Sequence, residues 1–205
     1  RILIDYLLDN SSIHNWNVTV ADYSLDLAKD SINNSENGSA ILFDVNDEKQ
    51  RQLEISKSDI VISMLPASMH VDVAKDCIKF KKDLVTASYV SEEMNNLNKK
   101  AEDADVLLLN EIGLDPGIDH MSAMQVIDDI KQQGGILTSF KSFCGGLVHP
   151  EYDDNPWNYK FTWNPRNVVL AGQGVAQYIE NGQYKYIAYN NLFERLENIQ
   201  ILDLG

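Results

Sequence analysis

The chain of 205 residues is 44% hydrophobic, which is enough for one large domain, or for one domain with part of another. Its 31 acidic residues outnumber 17 basic ones, and the formal charge of −14 disfavours nucleic acid and anionic membranes as partners. The two cysteines, Cys77 and Cys144, lie far apart in no metal-ligand pair, which argues against a zinc site or disulfide framework and favours a cytoplasmic setting. No apolar run approaches the ~18 residues of a membrane span.

Short apolar runs alternate with helical patterns through the first two thirds of the chain. After an opening helical pattern, strands are predicted at residues 17–21, 40–44, 59–65, 83–86 and 106–109, with helices between them. Residues 59–65 are almost continuously apolar, as expected for a strand covered on both faces. This alternation predicts a Rossmann-like, doubly wound parallel sheet of the α/β class.

The pattern changes after Gly134-Gly135, which end the last of these helices. Residues 136–143 alternate between apolar and polar, and further strands are predicted at residues 184–189 and 199–202. We therefore divide the chain into a dinucleotide-binding domain at residues 1–134 and part of a second, α+β domain at residues 135–205.

The polar loop at residues 110–120 follows the strand at residues 106–109. In its Asp115-Pro116-Gly117 turn, proline fixes one backbone angle and glycine permits a positive φ, so that the Asp115 carboxylate can face the space above the strand ends. Ligands of open α/β sheets bind at that edge, so this loop is a candidate site. An ordinary capped turn explains the pattern equally well. Since His120 follows Asp119 at a predicted helix start, we assign no metal.

Cofactor contacts are predicted at the strand ends. Asp22, at the tip of the first strand, is placed to accept hydrogen bonds from ribose hydroxyls and would repel a 2′-phosphate, which favours NAD over NADP. A turn or helix-cap role for Asp22 is the alternative. The other candidate contacts follow or end later strands and are equally routine strand ends: Asp44, Val45, Leu65, Pro66 and Thr86.

A glycine-rich phosphate loop is missing before the opening helix, although dinucleotide-binding sheets use one to hold the pyrophosphate. The first predicted strand already carries the acidic tip that normally ends the second. We therefore expect a longer protein, in which a strand and a glycine loop precede this segment.

The second domain offers two candidate contacts from residue type. Cys144 precedes Gly145-Gly146, where the backbone can approach a ligand closely, so its thiol is either a substrate contact or a small filler. Residues 155–166 are dense in aromatics, including Trp163, and end in Arg166, a pattern that fits either a pocket wall with a cation or a subunit contact.

Four motifs in order resemble the saccharopine dehydrogenase family, of the glutamate-forming type. They are VTASY at residues 85–89, NEIGLDPGIDH at 110–120, CGGL at 144–147 and YKFTW at 159–163. The resemblance implies a Rossmann domain and a second domain that binds saccharopine and supports a homodimer. It also implies nicotinamide-dependent oxidation of saccharopine to glutamate and aminoadipate semialdehyde, or the reverse, in lysine metabolism.

The resemblance also assigns roles to residues. It places Ser88, Tyr89 and Asp115 against saccharopine, with Cys144 and Trp163 lining the same pocket and Arg166 near the substrate or cofactor. Asp115 is expected to be the main charged partner of the amino-acid substrate, to contribute to cofactor binding and, with Cys144, to catalysis. Two other functions stay open: a carboxynorspermidine-type reductase, and a cofactor-binding scaffold without catalysis.

Overall fold

The computed structural model describes residues 1–146, 148–162, 165–166, 169 and 175–194. The chain divides into two compact units, Arg1–Phe140 and Lys141–Gly205, which are described separately. The sequence-based domain boundary near Gly134 stays a prediction. Among the described helices, none is both long enough and apolar enough to cross a bilayer.

The first unit alternates strands and helices along the chain. Its strands are β1 (Val18–Asp22), β2 (Gly38–Leu42), β3 (Ile60–Ser63), β4 (Asp83–Thr86) and β5 (Leu108–Leu109). Its helices are α1 (Ile2–Asp9), α2 (Ser11–His14), α3 (Leu25–Ile32), α4 (Glu48–Lys57), α5 (His70–Phe80), α6 (Glu92–Asn95), α7 (Asn98–Ala104) and α8 (Ile118–Gln132), with a 3-10 turn at Ala67–Met69. The predicted α/β class is confirmed.

The pairing between strands is parallel throughout the first unit. β1 pairs with β2, and β3, β4 and β5 form a second sheet in that order, so the described strands make two sheets where one was expected. Parallel pairing brings the carboxyl ends of paired strands to one edge, which places the exits of β4 and β5 side by side.

Helix α5 covers one face of the three-stranded sheet. Its residues Val73, Ala74 and Cys77 are buried in the same core cluster as Leu84 of β4. On β3, however, Ile60 and Ile62 remain 54% and 38% exposed, so the expectation that both faces of this strand are covered is wrong within the described chain. An apolar run shows that a strand can be buried, but whether it is buried depends on which elements pack against it.

A buried ion pair joins helices α4 and α5. Arg51 Nε donates to Asp76 Oδ2 at 2.6 Å, with side chains only 10% and 7% exposed, and Arg51 Nη1 donates to the Val45 carbonyl. The guanidinium therefore fixes the segment that follows β2 to helix α5. Gln52 Nε2 gives Asp76 Oδ1 a further hydrogen bond at 3.0 Å, so both carboxylate oxygens are satisfied.

The second unit contains one antiparallel hairpin among its described residues. β6 (Ala176–Glu180) pairs with β7 (Gln183–Ile187), and 3-10 turns lie at Pro150–Tyr152 and Tyr189–Glu194. The strand predicted at residues 184–189 is confirmed as β7, whereas β6 was not foreseen. Residues 136–143 form no strand, because alternation cannot create one where no partner strand pairs with it. The strand predicted at residues 199–202 lies outside the described residues.

Candidate active site

Two loops at the carboxyl ends of β4 and β5 are hydrogen-bonded to each other. We call residues 87–90 and 110–117 the paired loops. The Glu111 N–H donates to the Ser88 carbonyl at 3.1 Å, and the Ile112 N–H donates to the Thr86 carbonyl at 3.3 Å. The Val90 N–H donates to Glu111 Oε1 at 3.1 Å. The loops that carry Ser88, Tyr89 and Asp115 are therefore one hydrogen-bonded unit.

The turn that carries Asp115 is closed by its own backbone. The Gly113 N–H donates to the Pro116 carbonyl, and the Ile118 N–H donates to the Gly113 carbonyl, both at 2.9 Å. The Asp115–Pro116 peptide bond is cis, and Gly117 has φ 144°, a conformation that L side chains rarely adopt. The positive φ predicted for Gly117 is confirmed. Asp115 itself is exposed, so its carboxylate is accessible to a ligand.

Asp119 and His120 form the capped helix start that the sequence indicated. Asp119 Oδ1 accepts hydrogen bonds from the Gly117 N–H at 2.9 Å and lies 2.7 Å from His120 Nδ1. Desolvation would raise the pKa of Asp119, but these hydrogen bonds outweigh it and lower that pKa. The hydrogen bond to Asp119 in turn raises the pKa of His120. Ligand atoms of Asp115, Asp119 and His120 lie within 4.8 Å of one another, but Asp119 already serves the turn.

A buried histidine lies below the paired loops. His70, the first residue of α5, is 3% exposed, and its Nδ1 lies 2.8 Å from Ser63 Oγ at the end of β3. Its Nε2 lies 2.8 Å from Ser88 Oγ and 3.3 Å from Thr86 Oγ1. Burial lowers the pKa of His70, so the imidazole is neutral at physiological pH. We call Ser63, His70, Thr86 and Ser88 the hydroxyl–imidazole cluster.

Sequence reasoning did not assign His70 or Ser63 to the site. The available signal was Ser63, a polar residue that ends an otherwise apolar strand, and Thr86 in the same position on β4. Thr86 was predicted as a cofactor contact, but its side chain is only 1% exposed and belongs to the cluster. Of the four cluster residues only Ser88 is half-buried, so it connects the cluster to the surface.

A groove of about 320 Å³ lies at the carboxyl ends of β1 and β2. It is lined by Tyr23, Leu42, Phe43, Asp44 and Gln50. Gln50 fixes its floor, since Nε2 donates to the Leu42 carbonyl at 2.7 Å and Oε1 accepts from the Asp44 N–H at 3.0 Å. An exposed aromatic side chain, apolar walls and a carboxylate suit the adenosine part of a dinucleotide.

The other predicted cofactor residues have different surroundings. Asp22 Oδ1 accepts a hydrogen bond from the Ser24 N–H at 2.7 Å, which is the turn role named as its alternative. Val45 is 9% exposed and its side chain belongs to the core. Leu65 is half-buried against that core, and Pro66 is exposed at the start of the following 3-10 turn.

A larger cavity, of about 580 Å³, lies at the amino-terminal edge of the three-stranded sheet. Asp83, Glu102, Asp105, Val106 and Leu107 line it, at the start of β4 and just before β5. Ligands of open α/β sheets bind at the carboxyl ends of the strands, so position rather than volume identifies the smaller groove and the paired loops as the candidate site.

The second unit carries three of the candidate residues. Cys144 and Arg166 are exposed, and Trp163 lies outside the described residues. In the aromatic segment, the rings of Tyr159 and Phe161 meet edge to face with centroids 5.5 Å apart, and Lys160 Nζ lies 2.8 Å from Asp154 Oδ1. The segment therefore has local order of its own, and its predicted contacts to a ligand stay predictions.

Comparison with known proteins gives two family matches that together span almost the whole chain. The family model described as saccharopine dehydrogenase NADP binding domain matches residues 1–109, and that described as saccharopine dehydrogenase C-terminal domain matches residues 113–204. The boundary between the matches falls inside the paired loops.

Similar full-length proteins come from plants and fungi. Alpha-aminoadipic semialdehyde synthase of Arabidopsis thaliana is 43% identical over 187 residues, which cover 91% of this chain and 18% of that protein. Saccharopine dehydrogenase (NADP+, L-glutamate-forming) of Saccharomyces cerevisiae is 40% identical over 190 residues, which cover 93% of this chain and 42% of that protein. The solved apo structure of saccharopine dehydrogenase (L-Glu forming) from Saccharomyces cerevisiae matches with a TM-score of 0.79 and 38% identity, over 98% of this chain and 44% of that one. The chain thus spans about two fifths of the length of these yeast proteins.

These matches overturn the predicted preference for NAD. The family model that matches residues 1–109 describes an NADP binding domain. The similar saccharopine dehydrogenases from Pyricularia oryzae, Schizosaccharomyces pombe and Saccharomyces cerevisiae carry NADP+ in their names. The prediction weighed only the charge of Asp22. Because that carboxylate accepts the Ser24 N–H at the start of α3, an acidic strand tip alone does not report which cofactor is bound.

Proposed function

The chain belongs to the saccharopine dehydrogenase family, and from this premise we propose that it acts in the NADP-dependent oxidation of saccharopine to glutamate and aminoadipate semialdehyde, or in the reverse reaction. The observation that supports this most strongly is the hydrogen-bonded unit formed by the paired loops. It brings the loop of Ser88 and Tyr89 and the turn of Asp115 to one sheet edge.

The groove at the ends of β1 and β2 supports a cofactor role for this unit. Tyr23 and Leu42 are exposed there and can contact an adenine ring, while Asp44 and the Gln50-fixed backbone border it. When bound, the nicotinamide supplies the hydride acceptor, and the protein contributes binding and orientation. Hydride transfer requires the carbon bonded to the secondary amine of saccharopine to be held against the cofactor, which is the task of the paired loops.

Asp115 is proposed as the charged partner of the substrate. Its exposed carboxylate lies beside His120, whose raised pKa reflects Asp119 first and Asp115 and Glu111 with it, so the turn is a region of negative potential. A cationic amine of an amino-acid substrate is attracted to such a region. Ser88 and Tyr89 would contact the same molecule. The roles of Cys144, Trp163 and Arg166 stay predictions from the family resemblance.

The experiment is a kinetic comparison of Asp115→Asn with Asp119→Asn in the full-length protein. Asp115→Asn should lower kcat/KM for saccharopine by about tenfold to a hundredfold, because a charge-assisted contact is lost, and should leave NADP+ affinity and the Tm unchanged. Asp119→Asn should lower the Tm, because Asn keeps the acceptor oxygen but loses the negative charge that strengthens its hydrogen bonds with Gly117 and His120. If Asp115→Asn loses Tm and cofactor binding together, Asp115 is a structural residue.

Cofactor choice is tested in the same assay. The wild-type protein should reduce NADP+ with a higher kcat/KM than NAD+. Equal or inverted efficiencies would contradict the proposal. A homodimer and a cytoplasmic location also remain proposals, and light scattering of the purified protein and cell fractionation test them.

A further inference from the structure

Only one residue of the hydroxyl–imidazole cluster, Ser88, reaches the protein surface. Ser63, Thr86 and His70 are 4%, 1% and 3% exposed, whereas Ser88 is half-buried at the start of the paired loops. Ser88 is also held through its backbone, since its N–H lies 3.3 Å from Thr86 Oγ1 and its carbonyl accepts the Glu111 N–H. Its backbone is therefore held on both sides, and its hydroxyl oxygen lies 2.8 Å from His70 Nε2.

The state of the imidazole sets the direction of the Ser88 hydroxyl hydrogen. A neutral imidazole carries one N–H, and each hydroxyl carries one hydrogen. With the hydrogen on Nδ1, Nε2 accepts the Ser88 hydroxyl hydrogen, and Ser88 offers a ligand lone pairs alone. With the hydrogen on Nε2, the ring donates to Ser88 Oγ, and the Ser88 hydroxyl is directed outward as a donor.

The Nε2–H state is consistent with the contacts. Nε2 has two oxygens within reach, Ser88 Oγ at 2.8 Å and Thr86 Oγ1 at 3.3 Å, while Nδ1 has Ser63 Oγ alone at 2.8 Å. One N–H can be shared between two acceptor oxygens in a three-centre bond. The Ser63 hydroxyl then donates to Nδ1, so that both ring nitrogens are hydrogen-bonded.

We propose that His70 is a positioning residue that holds the Ser88 hydroxyl as a hydrogen-bond donor to a carboxylate of the amino-acid substrate. This rests on the proposed function, in which Ser88 contacts saccharopine. His70 acts through Ser88 and does not touch the substrate. The contact would select for a carboxylate over a neutral or cationic group at this point of the pocket.

A double-mutant cycle in the full-length protein tests the proposal. Ser88→Ala and His70→Asn should each lower kcat/KM for saccharopine by about tenfold, mainly through KM, since each removes or misdirects one hydrogen bond to a charged group. In the Ser88→Ala background, His70→Asn should cause no further loss, and NADP+ affinity should stay constant in all four proteins. Equal losses in both backgrounds would overturn the proposal and leave His70 a structural residue.

His70→Gln is the matched variant. Its amide reaches the position of Nε2 and can donate to Ser88 Oγ, whereas the Asn amide reaches only the position of Nδ1. Activity within about threefold of wild type for His70→Gln supports the proposal. Equal damage by Gln and Asn would contradict it. Because Gln can keep the contacts to the Ser88 and Thr86 hydroxyls, it also serves if His70→Asn does not fold.

A substrate-independent measurement separates this proposal from the proposed function. The NMR chemical shifts of nitrogen-labelled histidine, assigned by their loss in His70→Gln, report which ring nitrogen carries the hydrogen. The Nε2–H form is expected, and an Nδ1–H form would refute the inference even in an enzyme that oxidises saccharopine. A wild-type protein with the Nε2–H form but no saccharopine turnover would contradict both the proposed function and the substrate contact of Ser88. Full turnover by Ser88→Ala would overturn the inference and the substrate contact of Ser88, while the proposed reaction would stand.

Discussion

Gly117→Ala is the substitution for which the geometry of the Asp115 turn gives the clearest expectation. A Cβ on Gly117 would lie 2.2 Å from the Gly113 oxygen, 2.5 Å from its nitrogen and 2.7 Å from its carbonyl carbon. All three are backbone atoms, so no side chain can rotate away. The φ of 144° is in addition a conformation that glycine adopts easily and alanine does not.

The cost follows from the bonds that such a shift would break. Three backbone hydrogen bonds close the turn, from Gly113 to Pro116, from Ile118 to Gly113 and from Asp119 to Leu114. At roughly 0.5–1.5 kcal/mol each, with about 1–3 kcal/mol of backbone strain, the native turn should lose roughly 2.5–7.5 kcal/mol. Such a loss lowers the equilibrium constant for forming the native turn about a hundredfold or more, and kcat/KM for saccharopine should fall by up to that factor.

Gly134→Ala is the matched control, because Gly134 also has positive φ, 77°, but an added Cβ would meet nothing within 4 Å. Its cost should be limited to about 1–2 kcal/mol of backbone strain at the end of α8, with catalysis retained. Steady-state kinetics and thermal unfolding of both variants provide the comparison. A Gly117→Ala protein with the kinetics of Gly134→Ala would refute the closed geometry of the turn and its role in presenting Asp115.

Three other expectations follow from buried groups. Arg51→Met should destabilise the first unit by about 3–5 kcal/mol in denaturant titrations, because Asp76 is left as an unpaired buried charge. The double variant Arg51→Met with Asp76→Leu should recover most of that stability. If it does not, the ion pair is not the cause of the loss. Burial, together with the negative charges of Asp76 and Asp83, raises the pKa of Cys77 to about 12. In the native protein, iodoacetamide should therefore alkylate the exposed Cys144 and not the buried Cys77, which mass spectrometry of the peptides can show. Burial lowers the pKa of His70 below its ordinary 6.5, so the unfolded chain binds the proton first, and stability should fall as the pH drops below about 6.5. That decline should be smaller in His70→Gln, and an equal decline would exclude His70 as its source.

The sequence predicted the parts of the fold that depend on local pattern. The strands β1 to β5 and the positive φ of Gly117 follow from short apolar runs and turn chemistry, which neighbouring residues determine. The strand β6 was missed, and residues 136–143 were wrongly predicted as a strand, because pairing depends on residues distant in sequence.

In the candidate site, too, the local turn was predictable from the sequence and the contacts between distant residues were not. The motif of Asp115 was visible as a run of turn residues after a strand, and the structure adds how that turn is bonded to the loop of Ser88. The role of His70 was not visible, since its three partners come from positions that only the parallel pairing of β3 with β4 brings together. The cofactor was predicted wrongly for a related reason: the charge of Asp22 is in the sequence, and its hydrogen bond to Ser24 is not.

Helix α5 makes contact with both halves of the candidate site. Its first residue, His70, lies under the paired loops. Asp76, less than two turns later, holds Arg51 and through it the Val45 carbonyl, next to Asp44 of the groove at the ends of β1 and β2. If saccharopine and the cofactor bind as proposed, any free energy that couples their sites through α5 must act equally in both directions, so each ligand would change the affinity of the other by the same factor.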